Sequence, residues 1–411
     1  MRIFIFFFIL ALLAVQVAGR TIVVGKSQLI TSIQRALQLA QSNDTLLIEP
    51  GNYYEGNLTI NKSIVFKGIN YPVLDGRKKF EIISIKADNV TVDGFRIQHS
   101  GAAATDDIAG IKIYDAKNVV VVNNILDDNN FGIYTQNGRN CTIKNNIITA
   151  YGSEELQSGN GIHCWRCDGM LVIANTIIGH RDGIYFEFVT NSTIWRNTST
   201  RNVRYGLHFM FSQDDSYITN TFENNGAGVA VMYSHGVRMF NNFFQDNWGD
   251  AAYGILLKDI SDSYIEGNHF LKNTIGIYME GSSRIQLQRN EFLKNGWAVK
   301  IQASCNNNVL EKNNFIGNTF DVATNGSLVL NTFKNNYWDK YKGYDLDRDK
   351  IGDVPYHPVS IYSMIIDQNP STLILFRSFI VSLLDESEKI LPGITPEDLR
   401  DNYPLMSSLS L

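Results

Sequence analysis

Proline and cysteine are both scarce in this 411-residue chain, at 8 and 4 residues. So few prolines exclude a collagen-like or polyproline rod. Four cysteines, Cys141, Cys164, Cys167 and Cys305, spread over so long a chain exclude a small disulfide-stapled module. Charge is sparse as well. Asp, Glu, Lys and Arg make up 19% of the chain, split 36 basic to 41 acidic, and a net charge of −5 gives no basic field to draw nucleic acid or anionic lipid. No nucleic-acid partner is expected. Apolar residues at 44% are enough to fill a core, so the chain is not disordered.

What is abundant is asparagine, with 42 residues, 34 of them between Asn118 and Asn336. A repeat explains them. Gly followed by an apolar residue recurs at Gly110, Gly132, Gly161, Gly183, Gly206, Gly228, Gly254 and Gly276, with Ala298 in the Gly place of the next unit. The steps are 22, 29, 22, 23, 22, 26, 22 and 22 residues. Asn-x-apolar keeps step at Asn124, Asn146, Asn175, Asn197, Asn220, Asn242, Asn268 and Asn290, with the same two insertions, and goes on through Asn313 and Asn331.

Units of this length with period-two alternation hold three short strands each, which is one coil of a right-handed parallel β-helix. Leucine-rich repeats would need Leu ladders, and propeller blades about twice the length. The expected fold is all-β, a parallel β-helix of ten or more coils over residues 20–336. Asn at one corner tolerates left-handed backbone and stacks its amide from coil to coil. The long steps predict protruding loops near Ser153–Asn160 and Trp248–Tyr253. Residues 27–41, with Ile30, Ile33, Leu37 and Ala40 on one helical stripe, are expected to cap the N-terminal end of the rod.

Ahead of this rod, Arg2, the apolar run Ile3–Val15 and the small residues Ala18 and Gly19 read as a signal peptide over residues 1–19. The mature protein is then exported. With a single CxxC, Cys164 and Cys167 read as a local disulfide, or as one buried and one exposed thiol, rather than as a zinc site.

Residues 337–411 are of a different kind. Asp345, Asp347, Asp349 and Asp353, with the Ile351 carbonyl, match the first, third, fifth, ninth and seventh places of a calcium loop. Lys350 stands where that loop has Gly, and no Glu follows at the twelfth place. Calcium therefore competes with a solvated acidic turn neutralised by Lys340, Lys342, Arg348 and Lys350. Further on, Leu373, Phe376, Phe379, Ile380, Leu383 and Leu384 form one apolar face of an amphipathic helical tail. Charges and Pro370 interrupt the stretch, so it is no membrane span. The face either wraps the end of the rod or meets a membrane or a membrane partner.

In each repeat the first and third residues after Gly are apolar and point inward, so the second and fourth point out. The second places include Lys112, Tyr134, His163, Tyr185, His208, Ala230, Leu256 and Tyr278. The fourth include Trp165, Glu187, Met210, Met232, Lys258 and Glu280. Polysaccharide lyases and epimerases need clustered carboxylates with Arg or Lys on such a face, and these columns lack them. An enzyme acting on acidic polysaccharide is the alternative class, and a passive adhesin a third.

What these columns do hold is His208, Met210 and Met232 on adjacent coils about 5 Å apart, with His163 two coils away. His235 and Met239 follow in the next turn and strand. Imidazole with thioethers favours Cu(I). Against that, Met is a good gap filler, and these side chains also suit packing beneath a loop.

Several blocks carry a family resemblance: RYGLHFMFS from Arg204, GVAVMYSHGVRM from Gly228, GYDLDRDKIGDVPYHP from Gly343 and DQNPSTLILFRSF from Asp367. Across essentially the whole mature chain the sequence resembles NosD, the periplasmic maturation factors of nitrous oxide reductase. The resemblance implies a non-enzymatic periplasmic protein partnered with an ABC transporter permease and its ATPase. It further implies a copper chaperone and nitrous oxide reductase as partners, and transient Cu(I). The His208, Met210 and Met232 surface becomes a copper-handling or chaperone-docking patch under it, and the tail a permease contact.

Overall fold

The computed structural model describes residues 19–103, 106–152, 158–249, 252–326, 330–376, 378–390 and 399–411. The leader up to residue 18 lies outside these, as do residues 153–157 and 250–251 of the two expected loops.

Three parallel sheets of 14, 12 and 13 strands run the length of the rod, each coil giving one strand to each sheet. The 12-stranded sheet is led by the repeat glycines and runs from Leu58–Ile60 to Phe320–Ala323. Its register aligns the repeat: Ile184 pairs with Leu207, Tyr185 with His208, and Glu187 with Met210. These glycines serve close approach between coils. A Cβ on Gly206 would lie 2.7 Å from the Gly228 carbonyl and 3.0 Å from the Phe222 ring.

The Asn ladder is buried inside the corner. From Asn124 to Asn336 each side-chain amide donates to the next Asn Oδ1 at 2.9 to 3.1 Å. Asn331 belongs to another column, accepting from Asn308. The ladder Asn does not itself take the left-handed backbone. The residue before it does, whatever its type: Asn123, Asn145, Ala174, Arg196, Thr219, Asn241, Gly267, Arg289, Lys312 and Asn335 all have positive φ. That kink turns the ladder amide inward, where only a side chain with both donor and acceptor can satisfy two successive coils. Two residues past each of the last six ladder Asn, Asn220 to Asn336, a ring fills the core, where Leu126, Ile148, Ile177 and Ser199 stand in the earlier coils. Phe222, Phe244, Phe270, Phe292, Phe315 and Trp338 stack at centroid distances of 4.1 to 5.5 Å.

Both ends are closed. Helix α1 (Ile33–Leu39) buries Ile33, Ala36 and Leu37, with Ser32 accepting at its N-terminus. It is shorter than expected, since Ile30 forms a bridge with Val24 and Ala40 is the C-cap. At the other end the segment 399–411 returns to the rod. Buried Asp401 accepts from the Asn336 amide at 3.0 Å, from the Asn335 and Asn336 N–H groups and from Trp338 Nε1, ending the ladder with an acceptor that needs no further partner.

The tail is not one continuous helix. Helix α2 (Ile361–Gln368) is followed by a 3₁₀ turn (Pro370–Leu375) and helix α3 (Phe379–Ile390). Pro370 has no amide hydrogen for an α-helix to use, so α2 stops ahead of it, and the expected stripe is divided between the 3₁₀ turn, which holds Leu373, and α3, which holds Phe379, Ile380, Leu383 and Leu384. Tyr362, Ile366 and Val381 pack with Phe320 and Trp297. No helix among the described residues is long and apolar enough to cross a membrane.

Candidate soft-metal and docking site

On the outer face of the Gly-led sheet a column of rings runs Tyr134, His163, Tyr185, His208, with centroids 4.5 to 4.7 Å apart. Lys112 lies over Tyr134 at 4.7 Å. These outward places are well covered, because the residues ahead of each Gly fold over them. Phe131 and Tyr205 flank Tyr134 and His208.

His208 is thus buried rather than open to solvent. Its Nδ1 faces Asp182 Oδ2 at 3.4 Å and Arg204 Nη2 at 3.2 Å, and Nε2 makes no hydrogen bond among the described residues. Asp182 is fully buried, and Arg204 grips its carboxylate through Nε at 2.9 Å and Nη2 at 2.5 Å. Burial alone would raise the Asp182 pKa, but hydrogen bonds from His208 and Arg204 and the Arg204 charge hold it below the usual carboxylate range. Nδ1 thus lies between a carboxylate and a guanidinium; in the tautomer that donates Nδ1–H to Asp182, the Nε2 lone pair is left for a metal.

Met210 and Met232 are half-buried partners on neighbouring strands, and the Tyr185 hydroxyl donates to Met210 Sδ at 3.8 Å. Ala230, directly beside His208 in the next coil, is small. The structure therefore brings His208, Met210 and Met232 to one stretch of the face. Sequence reasoning missed Asp182 and Arg204; the signal was their place just ahead of Gly183 and Gly206, where side chains fold back over the second column.

Two expected members do not join them. Met239 points inward from the 14-stranded sheet and is fully buried, since its strand begins beyond the corner where inward and outward alternate afresh. His235 sits exposed at that corner, bridged to Gln213 and Ser261.

His163 also has a buried Nε2 without a partner among the described residues, and burial drives its pKa down to about 3. His180, enclosed at the head of a second Asn column, is lowered to about 4 for the same reason. Cys164 and Cys167 are both buried free thiols, so neither expected form, a disulfide or a half-exposed pair, is present. Burial raises the Cys164 pKa.

Asp345, Asp347 and Asp349 do converge, their ligand atoms within 4.8 Å of one another. Lys350 at the glycine place takes φ +72°. Asp353 is apart, accepting from Leu346 N–H at 2.7 Å, and Asp345 accepts from the Asp349 and Lys350 N–H groups. In the tail, Leu373, Phe376, Phe379, Ile380 and Leu383 are exposed, Phe379 at 80%, while Leu384 is intermediate.

Comparison with known proteins matches residues 149–344 to the family described as Periplasmic copper-binding protein (NosD), and residues 40–159 to the right-handed β-helix region. A protein of Stutzerimonas stutzeri named Probable ABC transporter binding protein NosD is 26% identical over 378 residues, covering 87% of this chain and 86% of its own. One of the same name from Pseudomonas aeruginosa is 27% identical, covering 86% of each chain. Among solved structures, the A-module of the Azotobacter vinelandii mannuronan C-5 epimerase AlgE6 superposes with a TM-score of 0.54 at 15% identity. It covers 74% of this chain and 94% of that one, a likeness of fold.

Proposed function

The chain is a NosD-like protein, matching over residues 149–344 a family described as periplasmic and copper-binding, and from that premise we propose that it is a non-enzymatic exported accessory of an ABC transporter. Its cargo is Cu(I), destined for assembly of the copper centre of nitrous oxide reductase. Export uses the leader over residues 1–19. The permease and its ATPase are met through the tail, and a copper chaperone supplies the ion.

The observation that carries this reading is His208 with Nδ1 held by Asp182 and Nε2 without a partner among the described residues, beside the in-register pair Met210 and Met232. One imidazole and two thioethers are donors for a soft d¹⁰ cation and poor donors for calcium or magnesium. Met210 and Met232 would hold the ion with His208 Nε2, and Asp182 and Arg204 keep the imidazole oriented. An acid or base acting on polysaccharide would need solvent access, and Asp182 has none.

Anaerobic Cu(I) titration of the mature protein tests the proposal. Met210→Ala with Met232→Ala is expected to weaken binding at least tenfold, and Asp182→Asn by about 10- to 100-fold, the range for a lost orienting partner. Unchanged affinity in the double variant returns both methionines to packing.

A further inference from the structure

Beside the Met pair runs a feature unrelated to packing. The fifth residue after each Gly turns the corner with positive φ, and in five of the eight coils from Asp115 to Gly281 it is Asp, Asn, Arg or Gly: Asp115, Asn137, Arg166, Asp259 and Gly281. In the three consecutive coils between, it is Phe188, Phe211 and Tyr233, at φ +54°, +51° and +54°. Bulky side chains are strained in this region. Only four Phe, Tyr or Trp residues among those described have positive φ, and three stand in this column, the fourth being Tyr71.

Burial does not explain them. Phe188 is 44% exposed, Phe211 37% and Tyr233 41%. Their rings stack in file at 5.2 and 5.0 Å with interplanar angles of 9° and 14°, next to Met210 and Met232 at the preceding positions. Arg166 continues the file, 6.0 Å from the Phe188 ring and 4.4 Å from Trp165.

Rings stacked this way cover one another's faces and turn their edges outward. A sugar, which stacks on a ring face, finds little purchase. Sulfur prefers the ring edge, and Phe, Tyr, Trp, Met and Arg together are the composition of a protein interface centre.

We propose that Phe188, Phe211 and Tyr233, with Met210 and Met232, form a docking rail for an extended, thioether-bearing segment of a partner protein. The segment lies along the rod across three coils, its sulfur atoms against the ring edges and within exchange distance of the Met pair. This rests on the copper reading above: a partner that hands over Cu(I) from thioethers must bring them to the receiving thioethers.

The probe is a synthetic peptide with three Met residues at alternate positions and its norleucine twin, titrated calorimetrically into the mature protein. The Met peptide is expected to bind. Phe211→Asn with Tyr233→Asn should weaken it at least tenfold while Tm stays equal or rises, because Asn137 already occupies this column in the native fold. The norleucine twin should bind at least tenfold more weakly. No binding to the native protein, equal affinity in the variant, equal affinity for the twin, or displacement of the peptide by alginate oligosaccharide overturns the proposal. Titration with Ag(I) alone separates the two readings: the Asn variant keeps both thioethers and should bind the ion as before, whereas failure of the native protein to bind it sinks the copper reading.

Discussion

Single buried polar residues set much of this protein's chemistry. Asp215 lies in the core with Oδ1 accepting from Ser192 N–H at 2.6 Å and Oδ2 without a partner among the described residues, and burial raises its pKa to about 8. The folded protein therefore holds a proton there that the unfolded chain, with an ordinary carboxyl at 3.8, releases. This group's stabilisation is present below pH 3.8 and is lost as pH rises toward 8. Asp215→Asn keeps the acceptor and removes the ionisation, so its Tm should gain on the native protein between pH 5 and pH 8. Melting curves across that range check it. His163 and His180 work in the other sense. Neutral in the fold down to about 3 and 4, against 6.5 unfolded, they withdraw stability as pH falls below 6.5. Replacing His180 by Asn, the residue usual in its column, should flatten the acid side of the same curves. None of this was legible in the sequence, because a buried Asp and an exposed corner Asp look alike until their neighbours on other coils are known.

Among the elements, the ladder and the tail show how far pattern reading carries. The two in-step series gave the strand period, the insertions and the outward columns, all of which the register bears out. The left-handed position was misplaced by one residue, since the two neighbours differ only in which turns inward. Asn220 makes the cost of a ladder break testable. Its amide donates to Ile194 O and to Asn242 Oδ1, and its Oδ1 accepts from Asn197 N–H and Nδ2. Asn220→Ala strands groups on both adjacent coils and should cost about 3 kcal/mol or more, measured by denaturant unfolding. In the tail, hydropathy marked the apolar residues but could not divide them between inner and outer sides. Tyr362→Ala should destabilise the end of the rod by about 3 kcal/mol. Phe379→Asp with Leu383→Asp should leave Tm within a degree or two and abolish capture by the permease. Retained capture by that soluble double variant would refute the tail as its contact.

At the scale of the whole molecule, a stack of coils is stable only if both ends are sealed, because each coil rests on its neighbours alone. Asp401 seals the C-terminal end, so removing everything from Ile361 onward would uncover the ladder as well as delete the tail. Asp401→Ala should speed amide exchange most in residues 330–338 and least near α1, read by hydrogen-exchange mass spectrometry, with Asp401→Asn milder because it keeps an acceptor. Sequence by itself determined the architecture, since a 22-residue period with fixed inward places has few ways to bury its apolar residues. It also determined which side chains could face out together. Only the tertiary structure decided which of these side chains carry chemistry. His208 was separated from His235 and Met239 by a corner, joined to Asp182 across 26 residues, and set beside a file of strained rings. Such pairings depend on distances between coils and on how residues ahead of the glycines fold over the face, and no spacing along the chain records either.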